Sequence, residues 1–121
     1  MGVKQLRNKL KLNTQVLENA AGLLVSIDSE NLDAGNSKDF KEMIQPSLSN
    51  HGLVVLDLGA LKFVDSSGLG ALFSCLCTMN NKDSQLKLIG LSKPVRALFE
   101  LVRMHRIFSI YNTLDEALAA L

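Results

Sequence analysis

Residues 53–79, LVVLDLGALKFVDSSGLGALFSCLCTM, decide the reading of this chain. They open on Leu53-Val54-Val55-Leu56, an apolar run with the length and composition of a buried strand. Asp57 and a short loop lead to Phe63-Val64-Asp65-Ser66-Ser67-Gly68-Leu69-Gly70, and a broad apolar helix begins after Ser67. Asp65, Ser66 and Ser67 fall where strand gives way to helix. Their side-chain oxygens suit that place, because they can accept hydrogen bonds from the unpaired N–H groups of a first helical turn. Gly68 and Gly70 lack side-chain bulk, so backbone or a partner can approach closely. The pattern predicts a serine hydroxyl exposed at the positive end of a helix, the most chemically suggestive feature of the sequence.

Toward the N-terminus, Leu23-Leu24-Val25-Ser26-Ile27 reads as a strand. Residues 14–18 form a candidate first strand, joined to it by the turn Asn19-Ala20-Ala21-Gly22. So tight a connection predicts a hairpin, hence an antiparallel pair. Residues 29–36 are polar and loop-like, and Asn36 or Ser37 is placed to cap the next helix. Phe40, Met43, Ile44 and Leu48 recur there at helical spacing, with Pro46 expected to end or bend the helix near Gln45. Residues 1–13, which carry Lys4, Arg7, Lys9 and Lys11, are expected to be a short N-terminal arm, and residues 14–121 one domain.

Toward the C-terminus, Leu69, Leu72, Phe73 and Leu76 make one helical stripe, widened by Ala71, Cys75 and Met79. A helix apolar over so much of its circumference is either deeply buried or partly presented to a partner. Residues 80–83 read as a loop and residues 86–90 as a strand. Ser92 can cap the following helix, with Pro94 in its first turn, Val95, Leu98, Phe99 and Val102 inside, and Arg96, Glu100 and Arg103 outside. Residues 107–111 are a short edge-strand candidate. Thr113-Leu114-Asp115-Glu116 fits a capping box before a last apolar stripe. Strands alternating with helices after residue 23, preceded by a hairpin, predict an α/β fold with a mixed sheet flanked by about four helices.

Composition bounds the function. The formal net charge is +1 and 47% of residues are apolar, so the chain is globular and shows no basic face for nucleic acid. No apolar stretch approaches a membrane span and no signal core is present, so a cytoplasmic protein without direct membrane insertion is expected. Cys75 and Cys77 are spaced to point to different sides of their helix, so two free thiols rather than a bond between them are expected. Neither His51 nor His105 has the companions of a zinc site or a nucleophile, and no metal or cofactor is implied.

Ser66 is open to three chemistries. A hydrolase elbow needs G-x-S-x-G, and Val64 or Asp65 stands where its first glycine belongs. A phosphate-binding loop needs GxxxxGK[ST] or GxGxxG, and the chain has neither, although a small anion can still bind at a helix N-terminus. A phosphorylation switch needs only an accessible hydroxyl and a docked partner. The product adds about −1.5 to −2 charges, which a helix N-terminus tolerates and an apolar or acidic contact does not. Against all three stands the plain reading in which Ser66 and Ser67 are only caps.

The sequence resembles the STAS domain family, whose members include bacterial anti-sigma-factor antagonists. The likeness rests on LVVLDLGALKFVDSSGLGAL (53–72), on LIGLSKPVRALFELVRMHRIFSIYNTLDEALAAL (88–121) and on VSIDSENLDAGNSKDF (25–40). It implies a STAS-like mixed sheet with flanking helices and no catalysis. It further implies that Ser66 is phosphorylated by an anti-sigma factor that is also a serine kinase. The unmodified chain would bind that factor, and a PP2C-type phosphatase would restore the hydroxyl. Asp33, Asp65, Ser66, Ser67, Gly68 and Leu69 are the implied partner-binding residues. The family's usual G-E-L-D loop matches Glu30-Asn31-Leu32-Asp33, so the turn must adopt a conformation open to Glu30 in place of glycine. Two other roles fit the family: a non-switching subunit of a membrane transport (lipid ABC) system, bound to the transporter ATPase, and a sensor of a small ligand such as a nucleotide or lipid.

Overall fold

A computed structural model describes residues 10–121. The predicted basic arm, as far as residues 1–9 reach, lies outside the described residues. The apolar run at 53 becomes β4 (Leu53–Asp57), the central strand of five. It pairs in parallel with β2 (Gly22–Asp28) on one side and β6 (Gln85–Ile89) on the other. Both of its faces are covered, which is why four consecutive residues, Leu53 to Leu56, are apolar without alternation. β1 (Lys11–Leu17) adds an antiparallel edge to β2, and β7 (Ser109–Tyr111) a parallel edge to β6, giving the order β1-β2-β4-β6-β7. The sheet is therefore mixed, as predicted.

The hairpin starts earlier than its sequence suggests. β1 begins at Lys11 rather than residue 14, and Leu10 is already buried in the main core. Polar Asn13, Thr14 and Gln15 break the alternation there, but pairing with the apolar β2 sets the register. The turn holds one 3₁₀ turn, Glu18–Ala20, closed by Ala21 in the left-handed region. A second, two-stranded parallel ladder joins β3 (Asn31–Leu32) to β5 (Phe63–Val64), inside segments read from sequence as loop and approach.

Three helices cover one face of the large sheet. Leu23, Val25 and Ile27 of β2, Val54 and Leu56 of β4, and Leu86 and Leu88 of β6 meet Phe40, Ile44 and Leu48 of α1 (Ser37–Asn50), Leu72, Cys75 and Met79 of α2 (Ser66–Asn81), and Val95 and Phe99 of α3 (Lys93–Leu101). The other face is closed by the short α4 (Leu114–Ala119), whose Ala117 packs against Leu17, Leu53, Val55 and Ile89. Lys87 is buried on this side, its Nζ donating to the Tyr111 hydroxyl at 3.3 Å and lying 4.8 Å from the ring centroid.

Two helix ends correct the sequence reading. α1 runs through Pro46 to Asn50 instead of stopping near Gln45. A mid-helix proline costs about 3 kcal/mol. Continuing the helix buries Leu48, worth roughly 1.5–3 kcal/mol, on the stripe begun by Phe40 and Ile44. Lys82 adds hydrogen bonds from its Nζ to the carbonyls of Leu48, Ser49 and His51, satisfying acceptors that a helix end leaves free. In α3, Ser92 occupies the cap position without capping; its Oγ donates to Leu61 O at 2.6 Å and ties the helix start to the loop before β5. Val102, assigned to the inner stripe, is exposed just past that helix. At α4 the capping box forms one residue out of register: Thr113 Oγ1 accepts from Glu116 N, but Glu116 Oε1 accepts from Asn112 N. Both thiols are free. Burial pushes the Cys75 thiol up to about 12, an effect that a backbone hydrogen bond and, more weakly, Lys41 only partly oppose.

Candidate functional site

After β5, Asp65 keeps an extended backbone and turns its carboxylate on the first turn of the helix. Its Oδ1 accepts from Gly68 N at 2.9 Å, which makes Asp65 the N-cap of α2. Ser66 and Ser67 are then the first two helical residues, and both are exposed. The reading of the serines as caps is thus corrected. A carboxylate one residue earlier satisfies the free N–H, so neither hydroxyl takes that role.

The second Asp65 oxygen reaches across the chain. Oδ2 accepts from Ala34 N at 3.1 Å, and Asp65 N donates to Leu32 O at 3.3 Å. One side chain therefore holds both the start of α2 and the loop that follows β3. That loop organises itself around two further polar residues. Asp33 accepts from Asn31 Nδ2 at 2.7 Å and from Gly35 N at 2.9 Å. Asn36 is buried: its Oδ1 accepts from Asp33 N, and its Nδ2 donates to Asn31 O. Asn36 stands at the N-cap position of α1 but spends its side chain on the loop. Glu30 O accepts from both Lys62 N and Phe63 N, closing the small ladder; Glu30 is not among the residues with positive φ, so a non-glycine fits there without strain.

Gly68 explains how tightly these parts meet. A Cβ built at Gly68 would stand 2.1 Å from Leu32 O, so the helix lies directly against β3 and only glycine fits. A Cβ at Gly70 meets nothing within 4 Å. The two glycines have different work: Gly68 seats the helix, and Gly70 leaves its outer surface low.

Of the six residues assigned to partner binding, Ser66 and Ser67 are exposed, Asp33 and Asp65 half-buried, and Gly68 and Leu69 buried. The exposed surface also holds residues that the sequence reading did not select. Phe63 is 56% exposed on β5, and Phe73, assigned to the inner stripe, is 40% exposed. Phe73 lies at the rim of the buried arc formed by Leu69, Leu72, Leu76 and Met79, one step toward the side bearing Ser66, Gly70 and Ser74. Not one of the sixteen residues of α2 is charged. Its outer face is neutral, with the small residues Ser66, Ser67, Gly70 and Ser74 and the exposed ring of Phe73. The missing charge on residues 66–81 was the available signal.

Neither histidine stands beside Ser66. His51 precedes β4 and binds Ser47 O through Nδ1 at 3.0 Å, and His105 lies in a 3₁₀ turn before β7. Both stand at the N-terminal ends of parallel strands, whereas Ser66 follows their C-terminal ends. No group of three or more His, Cys, Asp or Glu residues among the described residues is placed to hold a metal ion. No helix among them is long and apolar enough to cross a membrane.

Comparison with known proteins agrees with this architecture. The profile of the STAS domain matches residues 11–117. An anti-sigma F factor antagonist of Paenibacillus polymyxa is 30% identical over 115 residues, 91% of this chain and 97% of that protein. Among solved structures, an anti-sigma factor antagonist from Mycobacterium paratuberculosis superposes with a TM-score of 0.81 at 22% identity, covering 93% of this chain and 94% of that one. The Bacillus cell fate determinant SpoIIAA in its phosphorylated form does so at 0.66 and 15% identity, covering 91% and 98%. A mixed five-stranded sheet, three helices on one face and one on the other, and a family match across nearly all described residues lead to one conclusion: the chain belongs to the STAS domain family.

Proposed function

We propose that this protein is a non-enzymatic anti-sigma-factor antagonist whose docking to an anti-sigma factor is switched off by phosphorylation of Ser66. The observation that carries the reading is the freedom of that hydroxyl: Asp65 takes the cap, and Ser66 is left exposed at the start of an uncharged outer helix face. The partner is an anti-sigma factor with serine-kinase activity. It transfers the γ-phosphoryl group of ATP to Ser66 Oγ: the new O–P bond forms, ADP leaves, and the hydroxyl proton passes to a base of the kinase. A PP2C-type phosphatase reverses the step. Ser66, Ser67 and the exposed aromatic edge form the contact, while Asp33, Asp65, Gly68 and Leu69 hold its shape from beneath. The similarity to an anti-sigma F factor antagonist over most of both chains supports the partner class.

Phosphate at Ser66 adds about −1.5 to −2 charges to a face that has none. The helix N-terminus accepts that charge, worth some 0.3–1 kcal/mol of stabilisation, so the fold survives while the contact is lost. The test is incubation with the cognate kinase and ATP, with peptide mapping by mass spectrometry and binding by calorimetry. Phosphorylation is expected at Ser66 and absent in Ser66→Ala, with Ser66→Asp weakening the complex. Equal phosphorylation of Ser66→Ala, or unchanged affinity of Ser66→Asp and of the phosphorylated protein, overturns the proposal.

A further inference from the structure

At the end of the molecule remote from Ser66, α3 stops and the chain turns into β7 through a 3₁₀ turn, Met104–Arg106. Its footing is firm. Phe99 and Phe108 are buried with ring centroids 5.6 Å apart, and Met104 is packed against the core. What stands on that footing is unusual. Leu101 is 79% exposed, Val102 43% and Ile107 49%. Arg103, His105 and Arg106 are exposed between them. Arg103 is held in the left-handed region at φ 64, which turns the chain sharply at the centre of the tip.

The charge around the tip is one-sided. Residues 101–107 carry Arg103 and Arg106 and no Asp or Glu, with Glu100 one residue before Leu101. Exposed apolar side chains interleaved with arginine mark a surface for an anionic, partly apolar occupant. A stable protein interface takes about 800 Å² per partner and some 20–30 residues, and this tip is one turn of chain. A bilayer sets no such minimum, because each side chain enters the headgroup layer separately while the arginines stay with the phosphates.

We propose that the tip formed by Leu101, Val102, Arg103, Arg106 and Ile107 docks peripherally on an anionic phospholipid surface, with no segment crossing the bilayer. The site is separate from Ser66, so a membrane-bound molecule keeps its switch face turned away from the lipid.

Vesicle co-sedimentation tests this with the whole protein. Phosphatidylglycerol–phosphatidylcholine vesicles are compared with phosphatidylcholine alone, at low and high salt. Binding is expected only to the anionic vesicles and is expected to fall with salt. The double substitution Arg103→Gln/Arg106→Gln is expected to weaken it about thirty-fold, at the usual contribution of a basic residue near an anionic surface. Leu101→Ser/Ile107→Ser is expected to weaken binding to anionic vesicles without changing the thermal melt, since both side chains lie in solvent. Equal binding to both kinds of vesicle, or no effect of either double substitution in a protein that still melts cooperatively, overturns the proposal. So does an indifferent wild-type protein whose tip variants instead lose a purified anti-sigma factor, because the tip would then be a protein contact.

Discussion

Gly68 and Gly70 sit two residues apart in one helix, and the same substitution is expected to move stability in opposite directions. In α2 the swap to alanine removes backbone freedom from the unfolded chain, a gain of about 0.5–1 kcal/mol. At Gly70 nothing opposes it, because the new Cβ meets no atom within 4 Å. At Gly68 the Cβ would stand 2.1 Å from Leu32 O and 2.7 Å from Leu32 C. An ordinary C···O approach is about 3.3 Å, so helix and strand must part by about 1 Å. Both neighbours are backbone and cannot swing aside. Overpacking of this kind costs roughly 1–3 kcal/mol. Separation also loosens the bonds from Asp65 N to Leu32 O and from Ala34 N to Asp65 Oδ2, each worth about 1 kcal/mol. The net expectation for Gly68→Ala is a loss of about 2–3 kcal/mol. At about 3–5 °C per kcal/mol for a domain of this size, Tm falls by roughly 6–15 °C. For Gly70→Ala it rises by roughly 2–4 °C. Calorimetric melts and urea titrations read both. Gly68→Ala as stable as the parent, or both variants shifting the same way, would falsify the seating of α2 on β3.

Pro46→Ala is expected to raise stability by about 1–2 kcal/mol, since it restores a helical N–H at an exposed position and loses only the entropy benefit of proline in the unfolded chain; a destabilised variant in urea titration contradicts the account of α1. Asp65→Ala removes both of its hydrogen bonds and is expected to cost about 2 kcal/mol, Asp65→Asn about half of that; equal effects in urea unfolding count against the double role. Cys75 is expected to resist alkylation in the folded protein at mild alkaline pH, with a second thiol per chain reacting only in denaturant. Because its pKa is raised from 9.0 to about 12, its contribution to stability is complete below pH 9.0 and is lost as pH climbs toward 12; Cys75→Ala is expected to flatten that decline, and an unchanged pH profile refutes the burial effect.

Much of the fold could be read from the chain because its strongest signals are long or densely apolar. β4 lacks alternation since it is covered on both faces, and the α2 stripe repeats over four turns. What escaped is short. β3 and β5 have two residues each, too few for any period, and Leu32 was the sole mark of burial in a polar stretch. The caps escaped for a different reason. Asn36, Ser92, Ser66 and Ser67 all have side chains suited to capping. Whether such a residue caps depends on what else its oxygen can reach: Asp33 N for Asn36, Leu61 O for Ser92 as donor. Pro46 does not end its helix because propensity is local, while the burial of Leu48 and the reach of Lys82 are not.

The site was legible at its centre and not at its edges. Residues 65–70 announced a helix start with an accessible hydroxyl, but the division of labour among Asp65, Ser66 and Gly68 needed coordinates. That division is what makes a surface switch feasible. Were Ser66 itself the cap, esterifying its oxygen would break the bond that begins α2 and would trade recognition against folding. With the carboxylate of Asp65 committed to Gly68 N and Ala34 N, the helix start and the neighbouring loop do not depend on the serine oxygen. On the proposed reading, a charge added there is expected to repel a partner docked over Gly70 and Phe73 and to leave the seam between α2 and β3 in place. The proposed switch orders the mutations: changes at Asp65 or Gly68 are expected to lower stability and binding together, whereas a charge at Ser66 is expected to weaken binding while leaving stability unchanged or slightly raised.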